Sequence, residues 1–203
     1  MDNPQTLYAV AIVCGYLLGS VPFGLVLCRI FGYGDIRKIG SGNIGATNVL
    51  RTGNKPLAFA TLVLDIGKGA AAVLAIRAVS PPDENLLLIG VIAGAAAVIG
   101  HNFPLWLKFK GGKGVAATLG TMLAAFWPAG AAAIVTWLIV AALFRYSSLA
   151  ALISLIAPPI VFWIYGFPVA AIIAAALTVL VWVRHRENIR RLRNGTESKI
   201  GKK

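Results

Sequence analysis

Seven apolar stretches alternate with short polar connections along the chain. They run over residues 7–30, 56–79, 86–100, 115–127, 129–144, 149–165 and 168–183. Their apolar positions continue round every face at a 3.6-residue period, as in helices with no water-facing side. A helix needs about 17–25 residues to cross the hydrocarbon core. The fourth and fifth stretches are short for that and share Pro128, so they could be two short spans or one bent structure. The pattern predicts two, and with them an all-α fold: a polytopic integral membrane helix bundle of seven transmembrane helices. No linker, low-complexity tract or internal repeat divides residues 1–203, which predicts a single membrane-embedded domain.

Composition agrees with the pattern. Of 203 residues, 58% are hydrophobic and only 13% charged, with a mean hydropathy of +0.80; a soluble domain would carry about a quarter charged residues. The first stretch has no basic residue before it and is long for a secretory signal, so it is expected to remain as a helix. Cys14 and Cys28 both lie on it, about 21 Å apart at ~1.5 Å rise per residue, too far to pair. Neither has His or Cys neighbours at metal-ligand spacing, and both read as apolar fillers.

Charge supplies a topology. The net charge is +12, and seventeen of the nineteen Lys and Arg fall on one side if seven helices alternate. That side holds Arg29 to Lys55 around the first connection, Lys108 to Lys113, Arg145, and the tail from Arg184. The opposite connections, "MDNPQT", "SPPDEN" and "GFP", contain no Lys or Arg. The positive-inside rule places the N-terminus outside and the C-terminus in the cytoplasm. This segregation argues against nucleic acid as the reason for the basic balance, and anionic lipid accounts for most of the tail.

Several residues are too polar for their positions. Asp65 and Lys68 stand three apart in the second stretch, so they share a helix face and can neutralise one another. A structural ion pair and a direct substrate role both remain open for them. Gly15-x-x-x-Gly19 and Gly90-x-x-x-Gly94 fit close helix packing. In "HRENIRRLRNG", two or three turns continuing the last helix would put His185, Asn188, Ile189 and Leu192 on one stripe. Arg186, Arg190 and Arg193 would lie elsewhere, which turns a His and an Asn towards the protein.

Two connections combine glycine with hydrogen-bonding residues. In "IGSGNIGATN", Gly40, Gly42 and Gly45 give G-x-G-x-x-G, but no buried strand precedes them, which excludes a dinucleotide-binding βαβ unit. The stretch offers Ser41, Gly42, Asn43, Gly45, Thr47 and Asn48, followed by Arg51. The second, "KFKGGKGVAAT", places Gly111, Gly112, Lys113 and Gly114 directly before a helix. It is not a Walker A loop, because Leu107 stands where the first glycine is required. Glycines let backbone N–H groups converge on an oxyanion, and a helix N-terminus adds partial positive charge. Two phosphate-type cradles imply two anionic ligands, or one ligand with two phosphates.

From end to end the chain resembles the bacterial acyl-phosphate:glycerol-3-phosphate acyltransferases of the PlsY type. The carriers are "GSVPFGLVLCRIFGYGDIRKIGSGNIGATNVLRTGNK" with "LDIGKG", then "GHNFPLWLKFKGGKGVAAT", then "HRENIRRLRNGTESKIG". The resemblance implies acyl transfer from acyl phosphate to the 1-hydroxyl of sn-glycerol 3-phosphate, giving lysophosphatidic acid and phosphate. It also implies residence in the bacterial cytoplasmic (inner) membrane with a cytoplasm-facing active site. No cofactor or metal is implied, and a soluble acyl-phosphate synthase is the upstream partner. On the same resemblance, Ser41 and Arg51 bind phosphate in the first loop and Gly111, Gly112, Lys113 and Gly114 form the second phosphate site. His185 and Asn188 complete the centre from the tail. The proton acceptor is then either His185 or a substrate phosphate oxygen, with the phosphate favoured. The acyltransferase motif H-x-x-x-x-D is absent, since Trp106 and Arg190 occupy its final position. A transporter for an anionic metabolite remains the alternative, against which stands the crowding of the polar motifs on one membrane face.

Overall fold

The computed structural model describes residues 4–83 and 85–201, and among them helices and turns are the only regular elements. The chain divides into two compact units, Met1–Ala125 and Phe126–Lys203. The first holds α1 (Pro4–Gly19), α2 (Phe23–Ile30), α3 (Ala46–Val49), α4 (Lys55–Val79), α5 (Leu86–Asn102) and α6 (Val115–Ala125). The second holds α7 (Trp127–Phe144), α8 (Ser147–Ser154), α9 (Ala157–Ile164), α10 (Pro168–Arg184) and α11 (Arg186–Arg193).

All seven apolar stretches are helical, but they do not make seven equal spans. Five helical segments are long and apolar enough to cross a membrane, or six with the bent pair α10–α11. The fourth stretch, α6, has eleven residues, about 16 Å at the helical rise, roughly half a ~30 Å core. It ends where Phe126 leaves helical geometry and Trp127–Pro128 begins α7. The exterior is apolar, as a lipid-facing surface must be: Phe59, Leu74, Trp127, Leu143 and Ile164 are all more than half exposed.

The first unit is held by small residues at helix crossings. A Cβ at Gly15 or Gly19 would overlap the backbone of Ala93 or Ala97 on α5. The same holds for Gly69 against Ala117, and for Gly120 against Ile66. Such approach replaces the hydrophobic drive that lipid removes. These contacts cross α6 over the middle of α4 near Gly69 and Gly120; Arg77, later on α4, reaches the last residues of α6, so the two run the same way and α6 begins about level with Asp65. The Arg77 guanidinium donates to the Ala124 and Ala125 carbonyls at 3.1 and 3.3 Å, closing the far end of α6.

Two expected helices are broken, each at proline. The stretch 7–30 parts at Ser20–Pro22, because proline disfavours helical geometry in the residue before it and has no N–H to donate. The carbonyls at the break are met: Val21 N–H donates to Leu18 O at 3.3 Å and Lys68 Nζ to Val21 O at 2.9 Å. The stretch 149–165 parts ahead of Pro158–Pro159 into α8 and α9. There Thr178 Oγ1 donates to Leu155 O at 2.6 Å and Trp182 Nε1 to Leu152 O at 3.0 Å. The second unit is further closed by the Phe126 ring, 5.0–5.6 Å from those of Phe162, Tyr165 and Phe167. The tail does not continue α10 straight: α11 turns away by 63° at His185.

Candidate active site

The first loop, residues 36–54, is seated on α2 and α4. Ile36, Ile44 and Val49 pack with Leu25, Cys28, Leu57 and Ala58 in one buried cluster, so Cys28 is indeed an apolar filler. Within the loop Asn48, 1% exposed, acts as a knot. Its Nδ2 donates to the carbonyls of Ile36, Ile39 and Asn43 at 3.0, 2.9 and 2.8 Å, and its Oδ1 accepts from Ser41 N at 3.0 Å. The Asn48 amide is thereby spent on the loop itself. Gly40, at φ 55°, leaves room for the Arg51 side chain, whose Nη1 would stand 2.9 Å from a Cβ there. Ser41, Asn48 and Arg51 are thus gathered at one place, with Ser41, Gly42, Thr47 and Arg51 exposed and Asn43 and Gly45 half-buried. Beside them, Arg37 hydrogen-bonds the exposed end of Asp35 and holds its carboxyl far below the usual carboxylate range.

The second loop folds back on the end of α5. Gly111 N–H donates to Asn102 O at 3.2 Å and Gly112 N–H to His101 O at 3.0 Å. These two amides close the helix terminus, and the two glycines are required by closeness: a Cβ at 111 would meet the His101 and Asn102 carbonyls, and one at 112 the His101 ring. Gly114, at φ 88°, takes the left-handed turn that starts α6, and Thr118 N–H donates to its carbonyl at 2.8 Å. Lys113, between Gly112 and Gly114, is half-buried, and the first N–H groups of α6 are ones a helix leaves without partners inside itself.

Beneath this loop lie His101 and Asn102, not singled out from sequence as part of a site, with Asp65 and Lys68, for which the sequence leaves a substrate role open. His101 is 4% exposed, with Nδ1 3.6 Å from Asp65 Oδ1. Asp65 in turn pairs with Lys68 at 3.0 Å, both side chains within 4% of full burial, as their spacing predicts. Asn102 is fully buried, and its Nδ2 and Oδ1 have no hydrogen-bond partner among the described residues. A Cβ at Gly114 would stand 2.7 Å from its Oδ1.

The second unit positions the tail residues. His185, 4% exposed, sits at the bend between α10 and α11. Its Nδ1 lies 2.8 Å from Val181 O, and a carbonyl only accepts, so this nitrogen carries a proton; when the ring is neutral, Nε2 is then the acceptor. Asn188, 6% exposed, donates from Nδ2 to Glu197 Oε1 at 2.6 Å. Glu197 Oε1 also accepts from Ser148 Oγ at 2.7 Å, and Oε2 from Arg191 Nε at 2.6 Å. Burial alone would raise this carboxyl's pKa, but the three donors outweigh burial and hold it below the ordinary glutamate value. The expected stripe is present in spite of the bend: His185 and Asn188 are buried and Ile189 and Leu192 half-buried, while Arg186, Arg190 and Arg193 are exposed.

The similarities to known proteins agree on one family. A family model described as glycerol-3-phosphate acyltransferase matches residues 9–195, a range that takes in both loops and the tail helix. The glycerol-3-phosphate acyltransferase of Rhodospirillum rubrum is 60% identical over 98% of this chain and 94% of its own length. That of Paramagnetospirillum magneticum is 59% identical over 95% of this chain and 94% of its own. A crystal structure of PlsY, described as an integral membrane glycerol 3-phosphate acyltransferase in its glycerol 3-phosphate form, superposes with a TM-score of 0.86. It is 35% identical over 96% of each chain. A second, the lysophosphatidic acid form, gives 0.83 at 34% identity. The chain belongs to the glycerol-3-phosphate acyltransferase family and is an integral membrane protein.

Proposed function

We propose that this protein acylates the 1-hydroxyl of sn-glycerol 3-phosphate with acyl phosphate as donor, releasing lysophosphatidic acid and inorganic phosphate. The observation that carries the reading is the family match across both loops and the tail helix in one uninterrupted range. That continuity also supports treating residues 1–203 as one catalytic domain.

In this reading the hydroxyl oxygen of glycerol 3-phosphate attacks the acyl carbonyl carbon, the carbon–oxygen bond to phosphate breaks, and the hydroxyl proton leaves with a phosphate oxygen. Acyl phosphate is a mixed anhydride and already activated, so positioning and charge stabilisation carry most of the rate. Ser41 and Arg51 hold one phosphate on the first loop, with Asn48 fixing the loop's shape. Lys113 and the start of α6 hold the other, with Gly111, Gly112 and Gly114 giving the close packing that forms this seat. His185 Nε2 and Asn188 act from the tail on the reacting groups. An acceptor Nε2 suits orientation of the glycerol hydroxyl, while a dianionic phosphate beside that hydroxyl is itself a competent base. The charge asymmetry supports an N-terminus outside, a cytoplasmic C-terminus and an active site on the cytoplasmic side of the inner membrane. A soluble acyl-phosphate synthase would then supply the donor.

The test is purified protein with acyl phosphate and radiolabelled glycerol 3-phosphate, run beside acyl-CoA and with chelator present. Lysophosphatidic acid formed from acyl phosphate alone is the expected result. Product only from acyl-CoA would overturn the donor assignment. In the same assay Lys113→Ala should raise KM or lower kcat at least tenfold; wild-type constants would remove Lys113 from the site.

A further inference from the structure

Asp65, Lys68 and His101 form a connected set of buried ionisable groups that the proposed reaction does not use. We infer that His101 is a positioning residue which holds the Gly111–Gly114 loop from beneath, an assignment that rests on this loop seating a substrate phosphate. The chain of contacts begins at the break between α1 and α2. Lys68 Nζ donates to Val21 O at 2.9 Å and stands 5.7 Å from the centre of the Phe23 ring. It reaches Asp65 Oδ1 at 3.0 Å, and the same oxygen is 3.6 Å from His101 Nδ1. The other ring nitrogen, Nε2, lies so close under Gly112 that no side chain fits there. Asp65 thus stands within ion-pair range of Nδ1, too far for a hydrogen bond, while the imidazole sets the height of Gly112, next to Lys113, through Nε2.

The arrangement also reaches the first loop. Lys68 anchors the start of α2, and Gly24 on α2 touches the Ile44 carbonyl so closely that a Cβ there would overlap it. One buried strut thus ties the seats of both candidate phosphate loops to α4. An ion pair serving only to hold helices together would have no reason to end under a loop glycine adjoining the candidate phosphate-binding lysine. A displacement of about 1 Å at a reacting group can lower rate roughly a hundredfold, so a prop at this place acts on catalysis without touching substrate.

The two ring nitrogens can be tested separately. His101→Gln keeps an amide near the Nε2 position, under Gly112, whereas His101→Asn keeps one near Nδ1, beside Asp65, and leaves Gly112 unsupported. Both leave the Asp65–Lys68 pair intact, which Asp65→Asn would not. Each variant is purified and matched for folded protein by thermal unfolding, and KM and kcat are measured for both phosphate-bearing substrates. His101→Asn should raise KM about 10- to 100-fold for the substrate seated on this loop and leave the other within about threefold. His101→Gln should stay within about fivefold of wild type for both. Protection against unfolding by inorganic phosphate should weaken in His101→Asn and persist in His101→Gln, a readout independent of turnover. Equal behaviour of the two variants, or a fall in stability with both KM values unchanged, would make the set a helix fastener and overturn the inference. Inactive wild-type protein would instead remove the acyltransfer reading; active wild type with indifferent variants would remove only the strut.

Discussion

Glu197 gives the sharpest prediction, because its carboxylate has three donors and one of them is a candidate catalytic amide. The Glu197 side chain is 7% exposed, and Ser148 and Asn188 are each 6% exposed. Replacing Glu197 by Ala leaves two buried donors without an acceptor, at about 1–3 kcal/mol each. Arg191, with its side chain 32% exposed, can return to water and adds little. The expected loss is therefore about 2–6 kcal/mol, confined to the second unit. Glu197→Gln behaves differently. Its amide oxygen can keep the place of Oε1, which receives both Ser148 and Asn188, while its NH2 then faces the Arg191 donor. It should forfeit one charge-assisted bond, about 1.5–3 kcal/mol, yet keep Asn188 aimed. In the acylation assay, Glu197→Ala should lower kcat at least tenfold at a temperature where it is folded, and Glu197→Gln by no more than about threefold. Hydrogen exchange across residues 185–200 should rise in the Ala variant ahead of any global unfolding. Wild-type kcat and KM in folded Glu197→Ala would refute the claim that this carboxylate orients Asn188.

The same carboxylate sets a pH response. Its pKa lies below the ordinary glutamate value in the folded protein, so its contribution is complete above the ordinary range of about 4–4.5 and is lost as pH falls through the lower folded value. Thermal scans on acidification should show wild type losing more stability than Glu197→Gln. Asn48→Leu should leave the helices intact by circular dichroism while costing about 3 kcal/mol or more, since it strands the Ile36, Ile39 and Asn43 carbonyls; unaltered activity in that variant would show that the first loop keeps its shape without the knot. Asn102→Leu should raise the unfolding temperature, because it replaces a buried amide without partners by an apolar side chain of similar size. A lowered unfolding temperature would show that the amide is satisfied in the working enzyme.

Helix positions were legible because lipid demands long apolar runs, and every predicted stretch is helical. The breaks were less so. Pro22 and Pro158 are visible in the sequence, but proline can kink a helix or end it. What decides at Pro22 is Lys68, forty-seven residues from Val21, and at Pro158 it is Thr178 and Trp182. The two loops were legible through glycine and polar side chains, but not the division of labour inside them. Asn48 reads like any ligand-binding amide until its five hydrogen bonds to four loop residues are seen. Gly111 and Gly112 read as an open cradle, while their N–H groups close α5. His101 and Asp65 are thirty-six residues apart on different helices, and no spacing rule joins them. Glu197 lies beyond the last helix in a polar tail, where nothing marks it out from Glu187 among the basic residues.

The level at which α6 begins has an electrostatic consequence. Its first residue lies about level with Asp65, ten residues into α4, or about 15 Å along that axis at the helical rise. Under the proposed function, a substrate phosphate seated at this level would leave part of its bulk hydration behind and feel Lys113 across a weaker dielectric. At 4 Å, unit charges attract by about 1 kcal/mol in water but about 4 kcal/mol at an effective constant near 20. On that reading one lysine at the start of α6 would be worth several at the surface, and the Asp65–Lys68 pair within α4 has a helix start for a neighbour where hydrocarbon would otherwise lie.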